Sequence, residues 1–221
     1  EQISNRLFNG KLSFKTIYNW IYPGILDFDI TKLRRKGKSR QRKEARGKFN
    51  VGTSISKRPK TVKYREEFGH WELDTVVSSR GKSKGCLATF APRKTRFYVA
   101  LPMKDRSKES MLKAMKKLIN PLPKPTLKSF TSDRGKEFAC YNEIENMGIA
   151  FYFADPYSAW QRGSNENSNG LLREYYPKKT DLAKIPTKDL IKNLMELNNR
   201  PRKCLDYRTP FEMFMHELSL I

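Results

Sequence analysis

Residues 150–182 read AFYFADPYSAWQRGSNENSNGLLREYYPKKTDL, and the change of pattern inside this stretch decides the architecture. Ile149 to Phe153 is a short apolar run of the length and composition of a buried strand. A loop rich in Pro, Ser, Gly and aromatics follows, and then a helix that carries Glu166 near its start. A polar, glycine-bearing helix entry builds a poor core, but it can hold a carboxylate at a protein surface.

Upstream, Trp71 to Val77 (WELDTVV) alternates as a strand, with Trp71, Leu73, Thr75 and Val77 on one face and Asp74 on the other, between Glu72 and Val76. Gly85 to Ala91 and Thr95 to Met103 predict two more strands, with Arg93 and Lys94 at the turn. Ser107 to Ile119 predicts a helix whose stripe is Met111, Leu112, Met115, Leu118 and Ile119. Pro121, Pro123 and Pro125 make a stiff connector to a short strand, Phe130 to Asp133. A helix over Lys136 to Met147 leads back to the strand at 149–153, and Thr187 to Asn199 predicts a further amphipathic helix through Leu190, Ile191, Leu194 and Leu197. Three meander strands followed by alternating helices and strands describe an α/β layered domain over residues 64–221.

The N-terminal part differs. Ser13 is suited to cap a helix from Phe14 to about Tyr22, with Ile17, Trp20 and Ile21 toward a small core and Lys15, Thr16 and Asn19 outward. Residues 1–30 have the outline of the end of a helix-turn-helix, an outline shared with ordinary helical hairpins. Residues 31–63 read as a basic linker. Lys32 to Lys48 holds ten Lys or Arg, Arg34 and Arg35 among them, against the single acid Glu44. Such a run repels itself until it meets phosphate.

The formal net charge is +22 over 221 residues, a field that favours polyanionic partners, and nucleic acid above all. No apolar run approaches a membrane span, and no basic amphipathic helix has a strong apolar face. Cys86, Cys140 and Cys204 are widely spaced and odd in number, which argues against a disulfide framework or structural zinc site and for a reducing cytosol. The chain begins with Glu1 rather than Met, as a fragment of a longer protein would.

Three acids stand out by position: Asp74 within the first strand, Asp133 at the end of the fourth, and Glu166 opening the late helix. Acids placed in strands cost desolvation unless a cation meets them, and Mg²⁺ suits carboxylate oxygens. Singly, each has a plainer reading: an exposed strand position for Asp74, a turn former for Asp133, a first-turn acid favoured by the helix dipole for Glu166.

The stretches HWELDTV (70–76), TSDRGKEF (131–138), YFADPYSAWQRGSNENSNGLLREYYPKKTDL (152–182) and NNRPRKCLDYRTP (198–210) resemble transposases of the bacterial insertion-sequence family numbered thirty. The resemblance covers about Glu67 to Phe214, and SFKTIYNWIYPG (13–24) is similar to the end of that family's helix-turn-helix. It implies a ribonuclease-H-like integrase catalytic core with Asp74, Asp133 and Glu166 as metal-holding catalytic triad. It further implies Mg²⁺, replaceable by Mn²⁺, and cleavage and joining of double-stranded DNA at element terminal repeats and target. A homo-multimer acting in the bacterial cytoplasm, at the nucleoid, goes with it. Arg173, two helical turns after Glu166, matches the family's basic residue for DNA phosphate, with Asn169 and Lys178 as secondary contacts. Arg134 stands where the family has Asn, within reach of DNA, and Lys179 where it has Gly. A transposase-derived DNA-binding protein and a metal-dependent nuclease without joining activity are the alternatives.

Overall fold

The computed structural model describes residues 1–33, 52–79, 81–156 and 158–221. Arg34, Arg35 and most of the basic run therefore lie outside the described residues. The chain divides into two compact units.

The smaller unit takes in helices α1 (Gln2–Arg6) and α2 (Phe14–Ile21) together with Pro201–Arg208. Ser13 caps α2 as its sequence predicts, its side chain accepting from Lys15 N–H at 3.2 Å. Arg6 Nη1 donates to the Tyr207 carbonyl at 3.2 Å, and the Gln2 side chain donates to that of Pro201. Ile17, Trp20 and Ile21 were expected to face a core, yet no described residue of α2 is buried and Trp20 is exposed.

The larger unit is built on one six-stranded sheet: β1 (Thr53–Ser54), β2 (His70–Val77), β3 (Cys86–Pro92), β4 (Val99–Met103), β5 (Ser129–Ser132) and β6 (Ala150–Phe153), in the order β1-β6-β5-β2-β3-β4. β2, β3 and β4 form an antiparallel meander, while β1, β6, β5 and β2 run parallel. Helices α3 (Lys108–Ile119), α4 (Tyr141–Glu145), α5 (Gly163–Tyr175), α6 (Thr187–Asn198) and α7 (Pro210–Ser219) complete it.

Alternation along the strands produces two cores. Trp71, Leu73, Phe90, Phe130 and Phe151 pack with Met111 and Met115 of α3 and Phe214 of α7. Val76, Leu87 and Ala91 project to the opposite face and pack with Leu171 and Leu172 of α5 and Leu190 and Leu197 of α6. With both faces covered, every residue of β3 is buried. Trp71 adds a hydrogen bond from its indole N–H to the Thr126 carbonyl at 2.8 Å, and the Thr209/Glu212 capping box starts α7.

Four expectations are corrected. The linker ends sooner than residue 64: Thr53 and Ser54 pair with Tyr152 and Phe153, and Ile55 and Val62 are buried. The third strand begins at Val99 instead of Thr95, because the Tyr98 backbone is paired by a side chain. Its N–H donates to Asn198 Oδ1 at 2.7 Å and its carbonyl accepts from Asn198 Nδ2 at 2.9 Å. The helix expected over Lys136 to Met147 is a 3₁₀ segment, Lys136–Cys140, followed by the five-residue α4, with Glu137, Phe138 and Cys140 all turned inward. Ile191, expected on the buried stripe of α6, is exposed. Among the described residues, no helix is long and apolar enough to cross a membrane.

Candidate active site

The site lies where β5 ends beside the middle of β2, its parallel neighbour. β2 and β5 pair with Glu72 opposite Thr131. Extending that register by two residues sets Asp74 across from Asp133, the first residue beyond β5. Arg162, immediately before α5, reaches both acids: Nη1 lies 3.2 Å from Asp74 Oδ2 and Nη2 3.6 Å from Asp133 Oδ2. Nη1 also donates to the Leu73 carbonyl at 3.3 Å, whereas the buried Nε has no hydrogen-bond partner.

Both carboxylates are held from behind. Asp74 Oδ1 accepts the Thr75 N–H at 2.8 Å and Oδ2 accepts Asn169 Nδ2 at 3.0 Å. The other end of the Asn169 amide accepts the Tyr98 hydroxyl at 2.6 Å. Asp133 Oδ1 accepts the Gly135 N–H at 3.0 Å, so the turn-forming role and the site role coexist in one side chain. Burial pushes the Asp74 carboxyl above its ordinary range and the Asp133 charge adds to this, while Arg162 works the other way. Burial opposes the Arg162 charge, but Asp74 and Asp133 together outweigh it and hold the guanidinium above its usual range.

Glu166 is placed differently. It occupies the first turn of α5 and is exposed. The structure brings Asp74 and Asp133 together on one cation, and it does not add Glu166 to them. Among the described residues, no three His, Cys, Asp or Glu side chains are grouped to hold a metal ion. The pair alone still has the donors for a hard divalent cation: two carboxylates that already converge on a positive group.

Several residues around the site were not singled out from sequence. Glu72, fully buried, accepts from Arg93 and from the first turn of α5. Glu137 accepts the Thr75 hydroxyl at 2.9 Å and Arg106 Nε at 2.6 Å, so it braces the residue next to Asp74. The strand alternation that sets Glu72 on the Asp74 face was the available signal for the first. Nothing local marked Glu137 or Arg162.

The residues expected to contact DNA fall into several settings. Arg173 donates to the Val77 carbonyl at 2.6 Å and the Tyr176 carbonyl at 3.4 Å, which ties α5 to the end of β2. Asn169 is engaged with Asp74 and Tyr98. The Arg134 guanidinium lies 5.9 Å from the centroid of the Phe153 ring. Lys178 is exposed, as are Lys15 and Asn19 on α2.

A family model described as the integrase core domain matches residues 65–159. The transposase InsI of insertion sequence element IS30C from Escherichia coli (strain K12) is 37% identical over 222 residues, covering 95% of this chain and 57% of that protein. The transposase of insertion sequence element IS4351 from Bacteroides fragilis is 36% identical over 215 residues, covering 92% of this chain and 64% of that protein. The chain thus spans less than two thirds of the length of either relative. Among solved structures, the catalytic core domain of BIV integrase superposes with a TM-score of 0.52 at 18% identity, over 68% of this chain and 96% of that one. The HTLV-2 integrase catalytic core domain in complex with magnesium gives 0.50 at 19%, over 66% and 96%. The fold is that of a ribonuclease-H-like integrase core, with its mixed sheet and flanking helices.

Proposed function

We propose that this chain, a relative of the insertion-sequence transposases built on an integrase core, cleaves double-stranded DNA at the ends of such an element and joins the freed strand to target DNA. The observation that carries the reading is the convergence of Asp74, within β2, and Asp133, just past the end of the adjacent parallel β5, on one guanidinium. Two carboxylates so placed repel each other unless a cation lies between them. Arg162 supplies that charge in the protein alone.

Asp74, Asp133 and Glu166 are the residues that would hold Mg²⁺, or Mn²⁺ in its place. A divalent ion there supplies Lewis-acid polarisation of the phosphodiester and stabilises charge on the departing 3′ oxygen. The protein's own part is positional. Thr75 N–H and Asn169 fix Asp74, and Gly135 N–H fixes Asp133, so neither carboxylate must reorganise when DNA enters. No covalent protein intermediate is required.

The net charge of +22 supports a DNA partner, and exposed Lys178 and partly buried Arg134 are suited to backbone phosphate. In the same reading residues 1–30, through Lys15 and Asn19, contribute the end of a helix-turn-helix, and the basic run with Arg34 and Arg35 tracks phosphate without reading sequence. Arg173 contacts phosphate next to its carbonyl partners. The active form is a homo-multimer that pairs two element ends in the cytoplasm, at the nucleoid.

The test incubates the protein with labelled element ends and target duplex in Mg²⁺ or Mn²⁺. Joined product is expected. Cut ends without joining would reassign the chain as a nuclease, and bound but intact DNA as a binding module.

A further inference from the structure

α5 starts without a cap of its own. Arg162 holds the N-cap position and makes no side-chain capping bond, so the first-turn N–H groups need acceptors from elsewhere. They find one on β2. Glu72 Oε2 accepts Ser164 N–H at 2.8 Å and Asn165 N–H at 2.9 Å. The Asn165 side chain completes the joint: its Nδ2 donates to the Glu72 carbonyl at 2.9 Å and to the Thr89 carbonyl at 3.1 Å, and its Oδ1 accepts the Thr89 hydroxyl at 3.1 Å.

We infer that Glu72 is a positioning residue that fixes the first turn of α5, the turn that carries Glu166, acting as a tertiary cap delivered from the strand that carries Asp74. The inference rests on the reading of Glu166 as a site acid. Its geometry is short and stiff. Glu72 is two residues from Asp74 on the same strand face, and the two amides it binds immediately precede Glu166. A carboxylate on unpaired N–H groups at a helix start gains both charge-assisted hydrogen bonds and the helix dipole. Arg93 offsets the burial of that charge: it pairs with Glu72 Oε1, and its Nε donates to the Val62 carbonyl at 3.2 Å. Glu72 is 0% exposed and Arg93 5%, so neither contacts DNA directly. A mixed sheet could have been stabilised there by an apolar pair, as it is at Val76 and Leu87 one turn of pattern away. The charged joint instead fixes one rotation and depth of α5 on β2.

Two substitutions separate positioning from bulk stability. Glu72→Asp keeps the charge but withdraws it by one methylene; Glu72→Gln with Arg93→Gln keeps the length and removes both charges together. Each is compared with wild type for cleavage rate at saturating DNA and Mn²⁺, DNA dissociation constant, melting temperature and amide exchange along α5. Cleavage is expected to fall about 10–100-fold in both, the range seen when partners of site ligands are removed. DNA affinity should stay unchanged, with exchange at Ser164, Asn165 and Glu166 accelerated while β3 amides keep their protection. Wild-type cleavage by a folded Glu72→Asp protein overturns the role, as does a rate that merely tracks melting temperature across the variants. Unchanged first-turn exchange overturns it too, and that readout needs no catalysis. A wild-type protein that cuts no DNA would instead sink the functional reading, leaving the exchange result to judge the cap.

Discussion

Asp74 and Asp133 are brought together from adjacent strands, whereas Glu166 stands on a helix apart from that pair, and the two placements leave different marks. The strand-borne pair is half-buried, hydrogen-bonded from behind and already gathered on Arg162. Glu166 is exposed, and its position depends on how α5 docks. Sheet hydrogen bonds fix a register to a fraction of a residue, while a helix packed on a sheet must be told its rotation by specific contacts. The aspartate pair is therefore assembled by the sheet, while the start of α5 is fixed by side chains such as Glu72 and Asn165.

The largest effect should come from removing any of the three acids. Asp74→Asn, Asp133→Asn and Glu166→Gln are each expected to lower strand cleavage by at least ~10³-fold with DNA binding retained, since a polarising ion held by the three acids would lose a ligand. Gel-based cleavage and binding assays check this, and normal cutting by Glu166→Gln would remove the helix from the comparison altogether. Next comes Arg162→Ala. Without divalent ions it leaves two carboxylates facing each other, at a cost of about 2 kcal/mol after allowing for the partial exposure of Asp133. Calorimetry should show a lower melting temperature, and a larger rise on adding Mg²⁺ than wild type gives. An equal rise in both proteins would show that Arg162 and the ion do not share a place.

Smaller again is Asn169→Ala, which leaves Asp74 Oδ2 to Arg162 and the buried Tyr98 hydroxyl without its acceptor, for about 1–2 kcal/mol by denaturant unfolding. The smallest effects are those of pH, and they oppose each other. Folding favours protonated Asp74, because burial raises its pKa, so in metal-free protein this group's contribution to stability is lost as pH rises from its ordinary 3.8 through the folded value. Exposed Glu67 behaves oppositely. Hydrogen bonds from Lys128 and His70 lower it from 4.5 to about 2, so its contribution is present above pH 4.5 and lost as pH falls toward 2. Stability profiles of Asp74→Asn and Glu67→Gln against wild type should bend in opposite senses. For cleavage, the raised Asp74 carboxyl predicts a rate that climbs with pH and a midpoint that moves down as Mg²⁺ increases, because ion and proton compete for one carboxylate.

Much of this was legible locally. The 149–153 strand, the Trp71 and Leu73 face of WELDTVV and most of the 107–119 stripe packed as read, since burial of an alternating or helical apolar face is decided by its own spacing, while Val77 at the end of β2 is exposed. The failures share a cause. Tyr98 left the strand pattern because a side chain 100 residues away, Asn198, pairs its backbone. Thr53 and Ser54 joined the sheet because β6 offered an open edge, although a charge run precedes them.

The amino-acid sequence by itself determined the α/β layering, the face of β2 on which Asp74 stands, and the positions of Asp133 at a strand end and Glu166 in a helix entry. These follow from periodicities of two and 3.6 residues and from turn chemistry, which act over neighbouring residues. Only the tertiary structure decided that Arg162 bridges the two aspartates, that Glu137 braces Thr75, and that Glu72 caps α5. Those are pairings between groups far apart in the chain, selected by which buried charges and unpaired N–H groups meet once the layers have closed.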